Sequence, residues 1–394
     1  MNILFVTGLF ATRVDDTSLG GMARAVYKSA KGMKERGHQV RVLAVDNRDR
    51  KWNYKEIPVI SIDASVNPDE EDVICLLENT VSRERKIQKA INKLNQEWKI
   101  DIIQYTGWFG IGLFHYSKIP AVMRISSNTK VQLNSIYSIA KEKCLDKLEY
   151  MAIMRMNAVF APSNVMACSV TQNTGRKVRV IETPYDNEEI VFDDSVYNKK
   201  LNNKKYILFF GRMSKDKGIY VIRDILYRVL KKYPEIHFVF AGDLTINEGI
   251  SVEEQLKDAA MEFSSRIIFL GKLPAEKLFP AIEGAEMILM PSLMDNFPNA
   301  CAEAMSLGKI VIGTDGSSLD QFISNGYNGL LAKIGDADSL LTKIKEVINM
   351  SDEQKCIMSV NAKKRIKELS LDNYSRKMEK YYKKIITACN NKKR

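Results

Sequence analysis

The stretch that most constrains this chain runs from Met290 to Gly329, MPSLMDNFPNACAEAMSLGKIVIGTDGSSLDQFISNGYNG. It opens on the end of an apolar run, Met287 to Met290, which reads as a buried strand arriving at a turn. Pro298 supplies the fixed φ of a first helical residue, and Gly308 the C′ position where a helix closes. Lys309-Ile310-Val311-Ile312-Gly313 then reads as a second short buried strand. A strand that delivers a helix N-terminus places free N–H groups and the positive end of a dipole at the carboxyl edge of a sheet. That is a ready site for a phosphate or a sugar hydroxyl.

Two carboxylates frame the helix: Asp295 just before it and Glu303 inside it, eight positions later. Glu303 is flanked by Cys301, Ala302, Ala304 and Met305, so an apolar setting is expected, costly for a carboxylate unless donors reach it. Dipole placement alone is worth only ~0.3–1 kcal/mol. A capping box is excluded, because Ala300 stands where Ser or Thr would be needed. The alternative is an acceptor for the paired hydroxyls of a ribose, with Asp295 holding a sugar.

Asp295-(seven residues)-Glu303, followed by Ala-Met-x-x-Gly-Lys-x-Val-Ile-Gly-Thr, resembles the signature of the retaining GT-B glycosyltransferases, family 4 (group 1) in particular. That signature usually carries Glu at both ends; the first acid here is Asp, one methylene shorter. The resemblance implies that Asp295 touches the donor sugar and Glu303 the ribose hydroxyls. It also implies that the amides of Asn296, Phe297, Pro298 and Asn299, Pro298 contributing only its place in the turn, meet sugar or phosphate.

The rest of the chain fits two domains. Its 394 residues exceed one ordinary core, and 45% apolar with 27% charged residues is ordinary for a globular protein. No apolar run approaches the ~18–20 residues of a membrane span, and no basic segment precedes the first strand, so a cytoplasmic protein is expected. Six scattered cysteines without CxxC spacing indicate neither a disulfide framework nor a zinc site. The net charge of +11 is concentrated: from Arg376 to Arg394, eight Lys or Arg face the single acid Glu379. Without a nucleic-acid-binding signature, this tail suggests contact with an anionic membrane face or phosphate-bearing lipid, or simple solubility, rather than nucleic acid.

Residues 1–7 read as a strand, 8–21 as a loop, 22–36 as a helix with apolar residues at the 3.6-residue period, and 38–45 as a second strand. This is the start of a doubly wound domain. Strands at 57–62, 101–105, 119–124 and 158–161 and helices at 72–97 and 138–156 continue the pattern. Gly20-Gly21 lets backbone approach a ligand closely, but it is not G-x-G-x-x-G. The family resemblance implies that this pair faces the donor phosphates and acceptor. Many family members carry a His after the strand matching 119–124. Here the sequence is Arg124-Ile125-Ser126-Ser127-Asn128, and Arg124 or Ser126 is the expected substitute. His38, His115 and His237 read as structural, with His115 at a surface helix end.

Residues 181–205 are polar and aperiodic, a linker composition. Strand 206–210 then leads into Gly211-Arg212-Met213-Ser214-Lys215-Asp216-Lys217-Gly218, which matches the family's Gly-Arg…Lys-Gly loop. Arg212 and Lys217 on a strand-to-helix turn suit a diphosphate. Further strands are expected at 238–241, 266–270, 287–290 and 309–312. The resemblance implies that backbone near Lys272-Leu273 meets the base. Asp336-Ala337-Asp338 is a literal DxD but begins a helix, where acids favour the dipole. The final helix, about 371–388, carries Tyr374, Met378, Tyr381 and Ile385 on one face.

The expected architecture is α/β of the GT-B type: two Rossmann-like doubly wound domains facing a central cleft. Residues 1–180 would be the acceptor domain, 206–370 the donor domain, and 371–394 a helix crossing back to the first. The expected activity is metal-independent retaining transfer from a nucleotide sugar, UDP-linked before GDP-linked, to a glycan, lipid-linked or protein acceptor. An epimerase of the same fold and a non-catalytic nucleotide-sugar-binding subunit are the alternatives.

Overall fold

The computed structural model describes residues 1–8, 10–11, 20–67, 70–127, 138–186, 190–244, 246–247 and 250–391. The chain divides into two units, Met1–Pro184 with Ser370–Arg394, and Tyr185–Leu369. Among the described residues no helix is long and apolar enough to cross a membrane.

Unit one is built on β1 (Asn2–Thr7), whose apolar run is buried from Ile3 onward. A strand buried on both faces demands covering layers on each side, and helices supply them. The other strands are β2 (Gln39–Asp46), β3 (Arg50–Tyr54), β4 (Ile57–Asp63), β5 (Ile102–Thr106), β6 (Ala121–Arg124), β7 (Ala158–Ala161) and β8 (Arg179–Val180). They lie in the order β3-β4-β2-β1-β5-β6-β7-β8, parallel except for the β3–β4 hairpin at one edge. Helices α1 (Gly21–Glu35), α2 (Val73–Trp98), α3 (Ile139–Arg155) and α4 (Asn164–Thr174) alternate with the strands. Asp72 caps α2 through the amides of Ile74 and Cys75, and Ser138 caps α3 through that of Lys141.

Unit two has six parallel strands in the order β13-β10-β9-β14-β15-β16. They are β9 (Lys205–Phe210), β10 (Ile236–Ala241), β13 (Ile267–Gly271), β14 (Met287–Leu289), β15 (Val311–Thr314) and β16 (Leu330–Ala332), while β11 (Ile246–Asn247) and β12 (Ile250–Ser251) form a separate hairpin. Its helices are α5 (Ser195–Lys200), α6 (Ile219–Arg223), α7 (Leu226–Lys232), α8 (Val252–Ala260), α9 (Ala275–Glu283), α10 (Asn299–Ser306), α11 (Ala337–Ile348) and α12 (Asp352–Glu368). Capping boxes, Ser251 with Glu254 and Ser351 with Gln354, start α8 and α12.

The last helix, α13 (Leu371–Asn391), returns to unit one. It buries Tyr374, Met378, Tyr381, Tyr382 and Ile385 in the core around β1 and α1. Its tyrosines also find polar partners: Tyr374 Oη with Ser29 Oγ at 2.7 Å, Tyr381 Oη with the Val159 carbonyl at 3.2 Å, and Tyr382 Oη with Gln104 Oε1. Gly32 permits the approach, since a Cβ there would lie 2.0 Å from Ser375 Oγ.

Several expectations need adjusting. The stretch read as a linker, 181–205, contains α5, which packs beside α9 in unit two. The strand expected at 309–312 starts at Val311, because Gly308 and Lys309 close α10 by donating to the Met305 and Ala304 carbonyls. His115, expected at the surface, is 6% exposed, with Nδ1 3.0 Å from Tyr105 Oη and Nε2 3.0 Å from the Ile119 carbonyl.

Candidate functional site

In unit two, β9 is the first strand; β10 and β13 are laid down on one side of it and β14 to β16 on the other. Open α/β sheets bind ligands in the crevice at such a switch point, outside the carboxyl ends of the strands. The two loops leaving that edge, after β9 and after β14, are the two carrying the Arg212–Lys217 and Asp295–Asn299 motifs.

The structure joins them. Lys217 Nζ donates to Asp295 Oδ2 at 2.5 Å, across 78 residues of sequence, with both side chains partly shielded from solvent. Arg212 Nη2 lies 3.1 Å from Asp216 Oδ2, and its Nε donates to Ser214 Oγ at 3.3 Å. Burial pushes the Asp216 carboxyl up, but Ser214, Arg212 and Lys217 outweigh it and hold it below the usual range. The Asp216 carbonyl accepts the Leu293 amide at 2.9 Å, tying the first loop to the second. Asp295 is fixed in turn through its own amide, which donates to the Ser317 carbonyl at 3.1 Å; Ser317 Oγ and Thr314 Oγ1 are bonded at 2.8 Å. Sequence reasoning missed Asp216 and Ser317. The one signal available for Asp216 was its i,i+4 spacing from Arg212.

Gly218 closes the first loop with φ 74°, and a Cβ there would sit 1.8 Å from the Pro291 carbonyl oxygen. Backbone meets backbone here, so nothing flexible can yield. Gly218→Ala is expected to cost unit two about 2–4 kcal/mol through the left-handed backbone and the clash. Urea unfolding measures this, and an unchanged midpoint would remove the role assigned to the close approach.

Pro298 sits at the cap of α10 rather than at its first helical position, and no side chain caps the helix. The first-turn amides of Asn299 and Ala300 therefore have no partner inside the helix. Asn296 Oδ1 is buried without a hydrogen-bond partner. Phe297 packs edge-on against Phe322, ring centroids 4.8 Å apart. Cys301, Ala302, Ala304 and Met305 are fully buried, whereas Glu303 is half-buried on the other side of the helix. The apolar pocket expected around Glu303 is thus the opposite face of α10. Lys272 Nζ pairs with Asp243 Oδ2 at 3.2 Å on the surface, and Leu273 packs partly into the unit-two core.

The remaining expected residues lie in unit one. Gly20 is the N-cap of α1 and Gly21 its first residue; both are exposed, and a Cβ on either would meet nothing within 4 Å. Arg124 ends β6, 3% exposed, its guanidinium donating to Thr183 Oγ1 at 2.6 Å and to Ser126 Oγ. Burial lowers its pKa. Ser126 is the more open of the two, and Asn128 lies outside the described residues.

Asp336 accepts the Ser339 amide at 2.9 Å as the cap of α11, and Asp338 pairs with Arg228. Among the described residues no three His, Cys, Asp or Glu side chains gather into a metal-holding group.

Two doubly wound α/β units, the second with paired cationic and acidic loops at its switch point, define the GT-B class of glycosyltransferase folds. Comparison with known proteins narrows this. The family described as Glycosyltransferase Family 4 matches residues 19–189, and Glycosyl transferases group 1 matches residues 193–365. An uncharacterized glycosyltransferase of Methanocaldococcus jannaschii is 25% identical over 403 aligned positions, covering 97% of this chain and 98% of its own. Among solved structures, sucrose-phosphate synthase of Thermosynechococcus elongatus superposes with a TM-score of 0.74 at 16% identity, covering 98% of this chain and 99% of that one. Anabaena HepE, solved with UDP and with UDP-glucose, reaches 0.72 at 17% identity in its UDP complex, covering 98% and 100%. The chain belongs to glycosyltransferase family 4, group 1, and is a glycosyltransferase.

Proposed function

We propose that the protein transfers a sugar from a nucleotide-sugar donor, UDP-linked, to a glycan, lipid-linked or protein acceptor with retention of anomeric configuration, in cell-surface polysaccharide or glycoconjugate synthesis. The observation that carries this reading is the Lys217–Asp295 pair bridging the two switch-point loops. A cation and a carboxylate held together there offer a diphosphate contact and a sugar-hydroxyl contact from one fixed point. Anabaena HepE, with the same fold, was solved with UDP and UDP-glucose, which supports UDP as the carrier.

In this reaction the bond between the anomeric carbon and the β-phosphate oxygen breaks, and the nucleoside diphosphate departs with the electron pair. An acceptor hydroxyl forms its bond to the anomeric carbon on the same face and passes its proton to the leaving phosphate. Arg212, Lys217 and the first-turn amides of α10 stabilise the negative charge as it develops. Glu303 accepts the ribose hydroxyls, and backbone at Lys272-Leu273 meets the base. Gly20 and Gly21 present open backbone to the phosphates and acceptor, with Arg124 or Ser126 near the donor sugar. The exposed cations of α13 serve a protein acting at the cytoplasmic face of an anionic membrane.

With two cations assigned to the diphosphate, transfer is expected to be metal-independent. Assaying nucleoside diphosphate release with and without excess EDTA tests this, with equal rates expected. Loss of activity in EDTA, restored by magnesium or manganese, would overturn it.

A further inference from the structure

Along the flank of unit one, between α2 and the β3–β4 edge hairpin, lies a groove of about 690 Å³, within the range of small-molecule sites. Its floor is apolar. Ile60 and Ile62 are two residues apart on β4 and so share a face, and Leu94 and Ala90 of α2 lie opposite. Its rim carries five cations, Arg50, Lys51, Lys86, Lys89 and Lys93, and three carboxylates, Asp49, Asp63 and Glu97. Lys51 is directly across from Ile60 in the antiparallel register, and Lys89 and Lys93 follow one another at i,i+4 along α2.

Lys51 on β3 and Lys89 and Lys93 on α2 form no ion pair among the described residues, unlike Lys257, Lys343 and Lys383, which each hold a glutamate three or four residues away at 2.7, 2.8 and 2.6 Å. Like charges at i,i+4 repel. The three carboxylates leave the cations in excess, five to three; Asp49 accepts the Asp63 amide at 2.7 Å, and neither Asp63 nor Glu97 forms an ion pair with a lysine. Lys86 instead donates to the Asp63 carbonyl at 2.6 Å. Unpaired cations around an apolar floor match a ligand whose head is anionic and whose body is hydrocarbon.

We infer that this groove binds an anionic amphiphile, its phosphate or carboxylate head at Lys51, Lys89 and Lys93 and its chain on Ile60, Ile62 and Leu94. The site is made by unit one alone and does not depend on the transfer reaction. The test is calorimetric titration of octyl phosphate, below its micellar concentration, into the full chain. Inorganic phosphate and octyl glucoside are the comparison probes, and a Lys51→Gln/Lys89→Gln/Lys93→Gln variant carries three changes at exposed positions. Octyl phosphate should bind, with the variant roughly tenfold weaker or more, the scale of lost charge-assisted contacts. Each comparison probe should also be weaker by at least that factor. Phosphate binding as tightly as octyl phosphate would mean a simple anion site, and octyl glucoside doing so an apolar groove only. Either result overturns the proposal, as does equal binding by the variant or none by the wild type.

Discussion

Lys217→Ala is expected to lower kcat by about 10²–10³, the loss seen when one hydrogen-bond donor is withdrawn from a site of developing oxyanion charge. KM should change less, because the contact strengthens as the phosphate bond breaks and not when the donor binds. The variant loses more than a charge on phosphate, since it also strips Asp295 of its 2.5 Å partner. Arg212, 61% exposed and held by Asp216, should lose at least about tenfold on truncation, less than Lys217 because solvent screens it. Lys215, exposed in the same loop, is the internal control and should be near neutral. Steady-state kinetics with a nucleotide sugar separates the cases. Equal losses at 212, 215 and 217 would mean a diffuse basic loop that steers the donor, with no defined clamp.

The second large effect is on stability and lies in unit one. Glu84 is completely buried in α2, where Oε2 accepts the amides of Gly112 at 3.0 Å and Phe114 at 3.3 Å. Its Oε1 lies 3.3 Å from Nε of Arg83, itself 2% exposed and donating to the Phe109 carbonyl at 2.5 Å. Burial pushes the Glu84 carboxyl up, against the pull of Arg83 and the two amides. This pair pins the turn that follows β5. Glu84→Ala leaves a buried guanidinium without its counter-charge and is expected to cost 3–5 kcal/mol, or about 10 °C in the unit's melting temperature. Glu84→Gln keeps an oxygen that can accept both amides and loses only the acceptor facing Arg83, so it should lose less. A calorimetric melting temperature within a degree or two of wild type for Glu84→Ala would show that the turn does not depend on this anchor.

Most of the strand–helix alternation was legible because parallel strands buried on both faces read as apolar runs, as in Ile3–Val6 and Tyr206–Phe210. What escaped had weak local signals. β3 is charged and half-exposed, and its turn places Lys55 and Glu56 at φ 43° and 67° without the usual Gly or Asn. α4 is rich in β-branched and polar residues and relies on a Ser163 cap and on Gly175 at φ 67°. At the site, the family resemblance, set in its strand–turn–helix pattern, singled out Arg212, Lys217, Asp295 and Glu303 individually. That Lys217 and Asp295 would form an ion pair across 78 residues depends on which strands neighbour β9, and no local pattern encodes sheet order. Glu303 shows the opposite limit: its sequence neighbours are apolar, but helical geometry turns them away from it.

The most direct test of the donor-site assignment is calorimetric titration of UDP, GDP and ADP into the wild-type protein and Glu303→Gln. One nucleoside diphosphate, UDP, should bind the wild type. The substitution should weaken that binding by about tenfold or more with the melting temperature preserved, since an acceptor of two ribose hydroxyls becomes in part a donor facing them. Equal affinity in the two proteins, or no binding of any of the three nucleotides to the wild type, would contradict the account.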